Sequence, residues 1–223
     1  MFPPDGYKRW SQRRFSTLAL LSALRVLLVT DGTYETGYLL CKNLSPYYAK
    51  GRVIVSSCLV IVDVQNGFLN RQTEPVIEKL GQLLRSHAKF DHIVATKFVN
   101  FEGSMYTKML DWRGMMDETE QHVHPLVETC AEHIFEKTSY TCFTVEFEEW
   151  LWSNDIKELY FVGIETDACV MKCAMDSFDA RIPCKVLAHY CASCHGELYH
   201  NMAVSIMRHT LGDNVIEGEI DHV

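Results

Sequence analysis

Cys58-Leu59-Val60-Ile61-Val62-Asp63-Val64 is an apolar run rich in β-branched residues, and Gln65-Asn66-Gly67 after it is a turn. A short run with no polar alternation reads as a strand buried on both faces, the mark of a parallel sheet. Working outward, Pro75 opens a stretch to Ala88 with apolar residues at helical spacing (Val76, Ile77, Leu80, Leu83, Leu84). Proline suits a first helical turn, where its missing N–H costs nothing. His92–Thr96 is a second strand, His133–Phe135 a third, Glu158–Gly163 a fourth and Cys184–Ala188 a fifth. Asn214–Ile216 is a candidate last strand. Helices are expected over Val145–Trp152, Cys169–Phe178 and Glu197–His209. Strands alternating with helices predict an α/β fold with helices on both faces of a parallel sheet. Residues 97–130 read mostly as a long loop, and loops of that length in compact domains usually serve function.

The chain has 223 residues and a formal net charge of −8. An acidic balance argues against nucleic acid or an anionic membrane as the main partner. A small molecule is the expected partner. Nine scattered cysteines do not suit a disulfide scaffold and point to reduced thiols in a cytoplasm-like compartment. Residues 1–52 read as an N-terminal extension, with the main domain over 53–223. The extension is basic at first and then apolar, with Arg25 interrupting the run. An organelle-targeting segment, an extra amphipathic helix and residues upstream of the true start all fit it. Gly-rich phosphate-binding fingerprints are absent.

In such sheets, sites gather beyond the carboxyl ends of the strands. Three chemically useful side chains fall there. Asp63 is late in the first strand, Lys137 follows the third, and Cys169 begins the helix after the fourth. The thiolate is the reactive form of cysteine, and a helix N-terminus and a nearby ammonium both lower a thiol pKa. Asp63 is placed to take the thiol proton and return it to a leaving amine. Taken singly, each residue also fits a structural role: a buried apolar thiol, a helix cap and a solvated lysine.

Three motifs carry a family resemblance. They are Leu59-Val-Ile-Val-Asp63-Val-Gln65-Asn-Gly-Phe68, Phe135-Glu-Lys137-Thr138-Ser139-Tyr140-Thr-Cys-Phe143 and Gly163-Ile-Glu-Thr-Asp-Ala-Cys169-Val. Over about residues 55–217 the chain resembles the isochorismatase-like cysteine hydrolases, which include nicotinamidases and N-carbamoylsarcosine amidase. The resemblance implies a three-layer sandwich with a six-stranded parallel sheet between helices. It implies an Asp63–Lys137–Cys169 triad and a cis peptide at Ile164–Glu165. It also implies an oxyanion hole from the backbone amides of Glu165 and Cys169, and assembly into a homo-oligomer. The expected activity is amide or carbamoyl hydrolysis through a thioester. A vinyl ether hydrolase and a non-catalytic interaction module are the alternatives. Gln65, Phe68, Trp112 and Tyr140 are the expected pocket residues, with Tyr106 a further aromatic candidate.

Metal-dependent nicotinamidases carry an Asp-x-His after the second strand. Here that strand leaves as Thr96-Lys97-Phe98-Val99-Asn100. No metal and no cofactor is therefore expected. Cys191-Ala-Ser-Cys194 lacks the second CxxC of a zinc site, which leaves a redox pair or a plain turn. Cys173, one helical turn after Cys169, fits either a resolving thiol or core packing. His122 and His124 read as solvated loop residues.

Overall fold

A computed structural model describes residues 56–86 and 90–220. The expectations for residues 1–52, and for the last turn of the first helix, lie outside the described residues. The β-branched run forms β1 (Ser57–Val62), and every residue of it is buried. Its odd and even members serve two different cores. Cys58, Val60 and Val62 join one cluster, while Leu59 and Ile61 join the other. That two-faced burial is why the run shows no polar alternation.

The sheet continues with β2 (His92–Phe98), β3 (His133–Lys137), β4 (Glu158–Ile164), β5 (Cys184–Ala192) and β6 (Val215–Ile216). All pairings are parallel, in the order β3-β2-β1-β4-β5-β6. On one face pack α1 (Pro75–Arg85) and a short helix at Pro125–Cys130, through Val76, Leu80, Leu83 and Val127. On the other pack three helices, Val145–Ser153, Met171–Asp179 and Glu197–Leu211, through Phe147, Leu151, Ala174, Val204 and Met207. The result is a three-layer α/β sandwich. Strand order reverses between β1 and β4, so the carboxyl ends of these two strands open a crevice between connections that run opposite ways.

Two expectations need correction. Residues 97–130 are not mostly loop. They fold into α2 (Met105–Leu110), α3 (Glu118–Gln121) and α4 (Pro125–Cys130). Each starts on a side-chain cap: Ser104 accepts from the Thr107 amide, Asp117 from Glu120 and His124 Nδ1 from Leu126. Helices this short carry too few turns to show periodicity, so only their caps were readable. In addition, β5 runs on to Ala192, which places Cys191 in the sheet rather than in a turn. A shift of register between Phe161 and Gly163 lets β4 and β5 extend together.

After β4 come a π-type turn, Thr166–Val170, and then α6 (Met171–Asp179), with α5 (Val145–Ser153) before β4 and α7 (Glu197–Leu211) after β5. Gly163 is what allows β4 to lie against β1 at the crevice. Its φ is +114°, and a Cβ there would meet the Val62 carbonyl oxygen at 2.2 Å. Both the left-handed backbone and the backbone obstacle forbid a side chain. Gly163→Ala is expected to destabilise the fold by at least about 2 kcal/mol. Urea unfolding checks this, and a midpoint unchanged from the native chain would contradict it.

Candidate active site

The three residues singled out from the motifs meet at the crevice. Lys137 Nζ lies 2.8 Å from Asp63 Oδ2, with both side chains fully buried. The same ammonium lies 3.4 Å from Cys169 Sγ. The carbonyls of Ser139 at 2.8 Å and Tyr140 at 3.3 Å also accept from it, so four acceptors share its three hydrogens. Lysine thus reaches both partners at once, and each element contributes for a local reason. Asp63 leaves β1 in a left-handed conformation, φ 48°, which aspartate tolerates better than most residues. Thr96 at the centre of β2 clamps it twice: its hydroxyl accepts from the Asp63 amide at 3.1 Å and donates to Asp63 Oδ1 at 2.6 Å. Oδ2 faces Lys137, and the Cys169 thiol is a further hydrogen-bond partner of the carboxylate.

Cys169 stands in the π-type turn rather than at the start of an α-helix. The Ala168 and Val170 amides both turn back to the Glu165 carbonyl, at 3.2 and 3.0 Å. The Ile164–Glu165 peptide is cis. Thr166 is buried in the same turn, and its hydroxyl meets His200 Nδ1 of α7 at 2.8 Å.

The electrostatics correct one expectation. Lys137 and the turn were expected to lower the Cys169 thiol pKa. Instead burial pushes the thiol well above its ordinary range, the Asp63 carboxylate adds to the rise, and the Lys137 ammonium only offsets part of it. Burial is the largest influence on Lys137 and works against its charge, but Asp63, Cys169 and Cys173 together outweigh it and raise the pKa above its ordinary range. These shifts favour a charged Lys137 and a neutral Cys169 thiol in the resting cluster.

The pocket residues divide. Phe68 and Trp112 stack, with centroids 6.3 Å apart and planes 10° from parallel. Tyr140 meets Tyr106 edge-on at 5.0 Å, and Tyr106 meets Phe98 at 4.9 Å. Lys137 Nζ sits 5.2 Å from the Phe98 centroid, because the two residues are register partners on β2 and β3. An aromatic wall thus runs from the ammonium outward to the half-exposed Tyr140. Gln65 does not belong to it. It is fully buried and accepts from the Phe98 amide at 2.7 Å, while its Nε2 donates to the carbonyls of Phe98 and Gln121. Both its N–H groups and its oxygen are engaged in tying the end of β2 to α3. Phe98 and Thr96 were missed in the sequence because both read as ordinary strand residues.

The end of β2 does not fit a metal. Lys97 pairs with Glu136 outside, Phe98 is core, and Asn100 is spent on Ser104, Trp112 and Gly114. Among the described residues, Glu165, Asp167 and His195 bring ligand atoms within 4.8 Å of one another. His124 serves as a helix cap, and His122 is exposed near Glu128. Cys191 and Cys194 do not behave as a pair. The first turns its sulfur to the Leu187 carbonyl at 3.4 Å and the second to Phe68 at 3.3 Å.

The model of the isochorismatase domain matches residues 57–219. The chain belongs to the isochorismatase family. A nicotinamidase/pyrazinamidase of Mycobacterium tuberculosis is 28% identical over 153 residues, which cover 58% of this chain and 82% of that protein. Isochorismatase domain-containing protein 2 of Xenopus laevis is 36% identical over 97 residues, 40% of this chain. That match spans about half, 47%, of the Xenopus protein's length. Among solved structures, PnC1 from L. infantum, in complex with nicotinate, superposes with a TM-score of 0.65 at 16% identity. It covers 76% of this chain and 96% of its own. The nicotinamidase of Bacillus subtilis gives a TM-score of 0.59 at 22% identity, covering 73% and 100%. At these identities the structures establish the fold of this isochorismatase domain, a six-stranded parallel sheet between helices. No helix among the described residues is long and apolar enough to cross a membrane.

Proposed function

We propose that this isochorismatase domain hydrolyses a small planar amide or carbamoyl compound through a thioester on Cys169. The observation that carries the proposal is a single buried ammonium, Lys137, bridging Asp63 and Cys169 at 2.8 and 3.4 Å. Three polar groups so deeply buried are costly unless each serves another. Relatives named nicotinamidase/pyrazinamidase support the class of reaction.

In this scheme the thiol is activated within the cluster and not by solvent. Cys169 passes its proton to Asp63, and Lys137 stays charged beside the new thiolate. The cluster's net charge is unchanged, so the step needs no ion to be newly desolvated. The thiolate attacks the carbonyl carbon, and the oxyanion that forms is held by the backbone amides of Glu165 and Cys169. Asp63 returns the proton to the leaving nitrogen, the C–N bond breaks and the amine or ammonia departs. A water molecule then gives a proton to Asp63 and attacks the thioester, releasing the acid and the Cys169 sulfur, which takes the proton back. Phe68 and Trp112 offer a flat apolar face to the substrate, with Tyr140 at the rim. The absence of Asp-x-His after β2 separates this site from a metal-assisted one, so nicotinamide is not singled out as the substrate.

A screen of carboxamides and N-carbamoyl compounds for ammonia release tests the proposal. Turnover of at least one planar member is expected, and Cys169→Ala should reduce it more than about 10⁴-fold. Full turnover by Cys169→Ala, or turnover of no amide or carbamoyl compound, would refute it.

A further inference from the structure

Two buried thiols beside the site have no part in the hydrolytic scheme. Cys173, on α6, and Cys142, after β3, are 0% and 1% exposed, and Cys169 is 5% exposed. The Cys142 amide donates to Cys173 Sγ at 3.2 Å, and the Cys173 thiol donates to the Tyr140 carbonyl at 3.7 Å. The same Tyr140 carbonyl accepts from Lys137 Nζ at 3.3 Å, and that ammonium touches Cys169 Sγ at 3.4 Å. The Cys169 sulfur, in the π-type turn, and the Cys173 sulfur, in α6, are therefore joined through the Lys137 ammonium and the Tyr140 carbonyl. Cys173 follows Cys169 by four residues, the spacing that stacks side chains on one helical face.

We propose that Cys173 is the resolving thiol of a reversible oxidative off-switch on Cys169. The oxidant is a hydroperoxide such as hydrogen peroxide. The Cys169 thiolate, formed by proton transfer to Asp63, attacks the peroxide. An S–O bond forms, the O–O bond breaks, and the departing hydroxide takes the proton from Asp63 to leave as water. Cys173 sulfur then attacks the Cys169 sulfenic sulfur. The S–O bond breaks, the oxygen leaves as a second water with the Cys173 proton, and a Cys169–Cys173 disulfide remains. Two thiols are oxidised by two electrons in total and one peroxide is reduced. Neighbours four apart on a helix hold their Cβ atoms at about 5–6 Å, and a disulfide needs about 3.5–4.5 Å. Cys169 stands within the π-type turn and Cys173 in the first turn of α6, so the irregular repeat at Cys169's own position is the place to take up that movement. With its sulfur locked, Cys169 can neither attack a carbonyl nor be overoxidised.

The test uses the full-length chain, reduced and then treated with equimolar hydrogen peroxide, and reads mass and thiol labelling. It needs no substrate, so its outcome is independent of the amidase proposal. The native chain should lose the mass of two hydrogen atoms, and peptide mapping should place the link between Cys169 and Cys173. Dithiothreitol should restore nearly all labelling of Cys169. In Cys173→Ser, which keeps the volume, the mass should instead rise by whole oxygen atoms. The fraction of Cys169 recovered by dithiothreitol after excess peroxide should fall about tenfold or more. Cys142→Ala should still form the link. The inference is overturned if Cys173→Ser recovers as fully as the native chain, if the link joins Cys142 to Cys173, or if no disulfide forms. Matching far-UV circular dichroism of the variants and the native chain shows that altered chemistry is not unfolding.

Discussion

Lys137→Met is expected to lower stability by about 3–5 kcal/mol, the cost of leaving one member of a buried ion pair without its partner. Lys137 and Asp63 are both fully buried, 2.8 Å apart. Methionine fills most of the space but leaves Asp63 Oδ2 facing an apolar group. The carboxylate must then remain charged without compensation or take up a proton. For a domain of this size the loss corresponds to a fall in Tm of roughly 6–20 °C. Two carbonyls, of Ser139 and Tyr140, also lose their donor. The pairing account makes a further demand. Asp63→Asn combined with Lys137→Met removes both charges, and it should recover most of the stability while remaining inactive. Thermal unfolding of the two single variants and the double variant closes the cycle. A double variant no more stable than Lys137→Met would show that the pair is not what the fold depends on.

Asp63→Asn alone separates base from counter-ion. Turnover of a substrate should fall by about 10²–10⁴, the usual range for loss of a general base. Alkylation of Cys169 by iodoacetamide should move the other way. In the native cluster the Asp63 carboxylate adds to the upward push of burial on the thiol pKa, and Lys137 opposes it. Neutralising Asp63 leaves only Lys137 as a near charge, which favours the thiolate. Faster labelling at neutral pH with slower turnover is the expected signature. Turnover within a few-fold of the native chain would remove Asp63 from the chemistry. Asparagine retains an Oδ1 for the Thr96 hydroxyl, so the loop after β1 keeps its clamp.

Much of this architecture is legible in the residues, for reasons that can be named. β1 declares itself because burial on both faces demands an apolar run, and Asp63 stands out as the acid that ends it. Lys137 and Cys169 gain meaning only from their places at the end of β3 and after β4, and the switch between β1 and β4 is what brings Cys169 to Asp63. Other features depend on tertiary context. Thr96 looks like any β-branched strand residue until its hydroxyl is seen holding Asp63. Gln65 looks like a pocket residue, yet all its polar atoms are consumed by Phe98 and Gln121. The helices of 97–130 hide because a helix of 4 to 6 residues shows no period. The direction of the Cys169 shift was misjudged because sequence shows the nearby ammonium but not the depth of burial that outweighs it.

The central claim is covalent catalysis by Cys169, and the acyl-enzyme is its most direct witness. A substrate found by the amide screen would be mixed with the isochorismatase domain and quenched in acid within the first turnover. Intact-mass and peptide analysis should then show the substrate's acyl group on Cys169, with the amine already released, and no adduct on Cys169→Ala. Hydrolysis at the native rate by Cys169→Ala, or an acyl group carried by a different residue, would contradict the account.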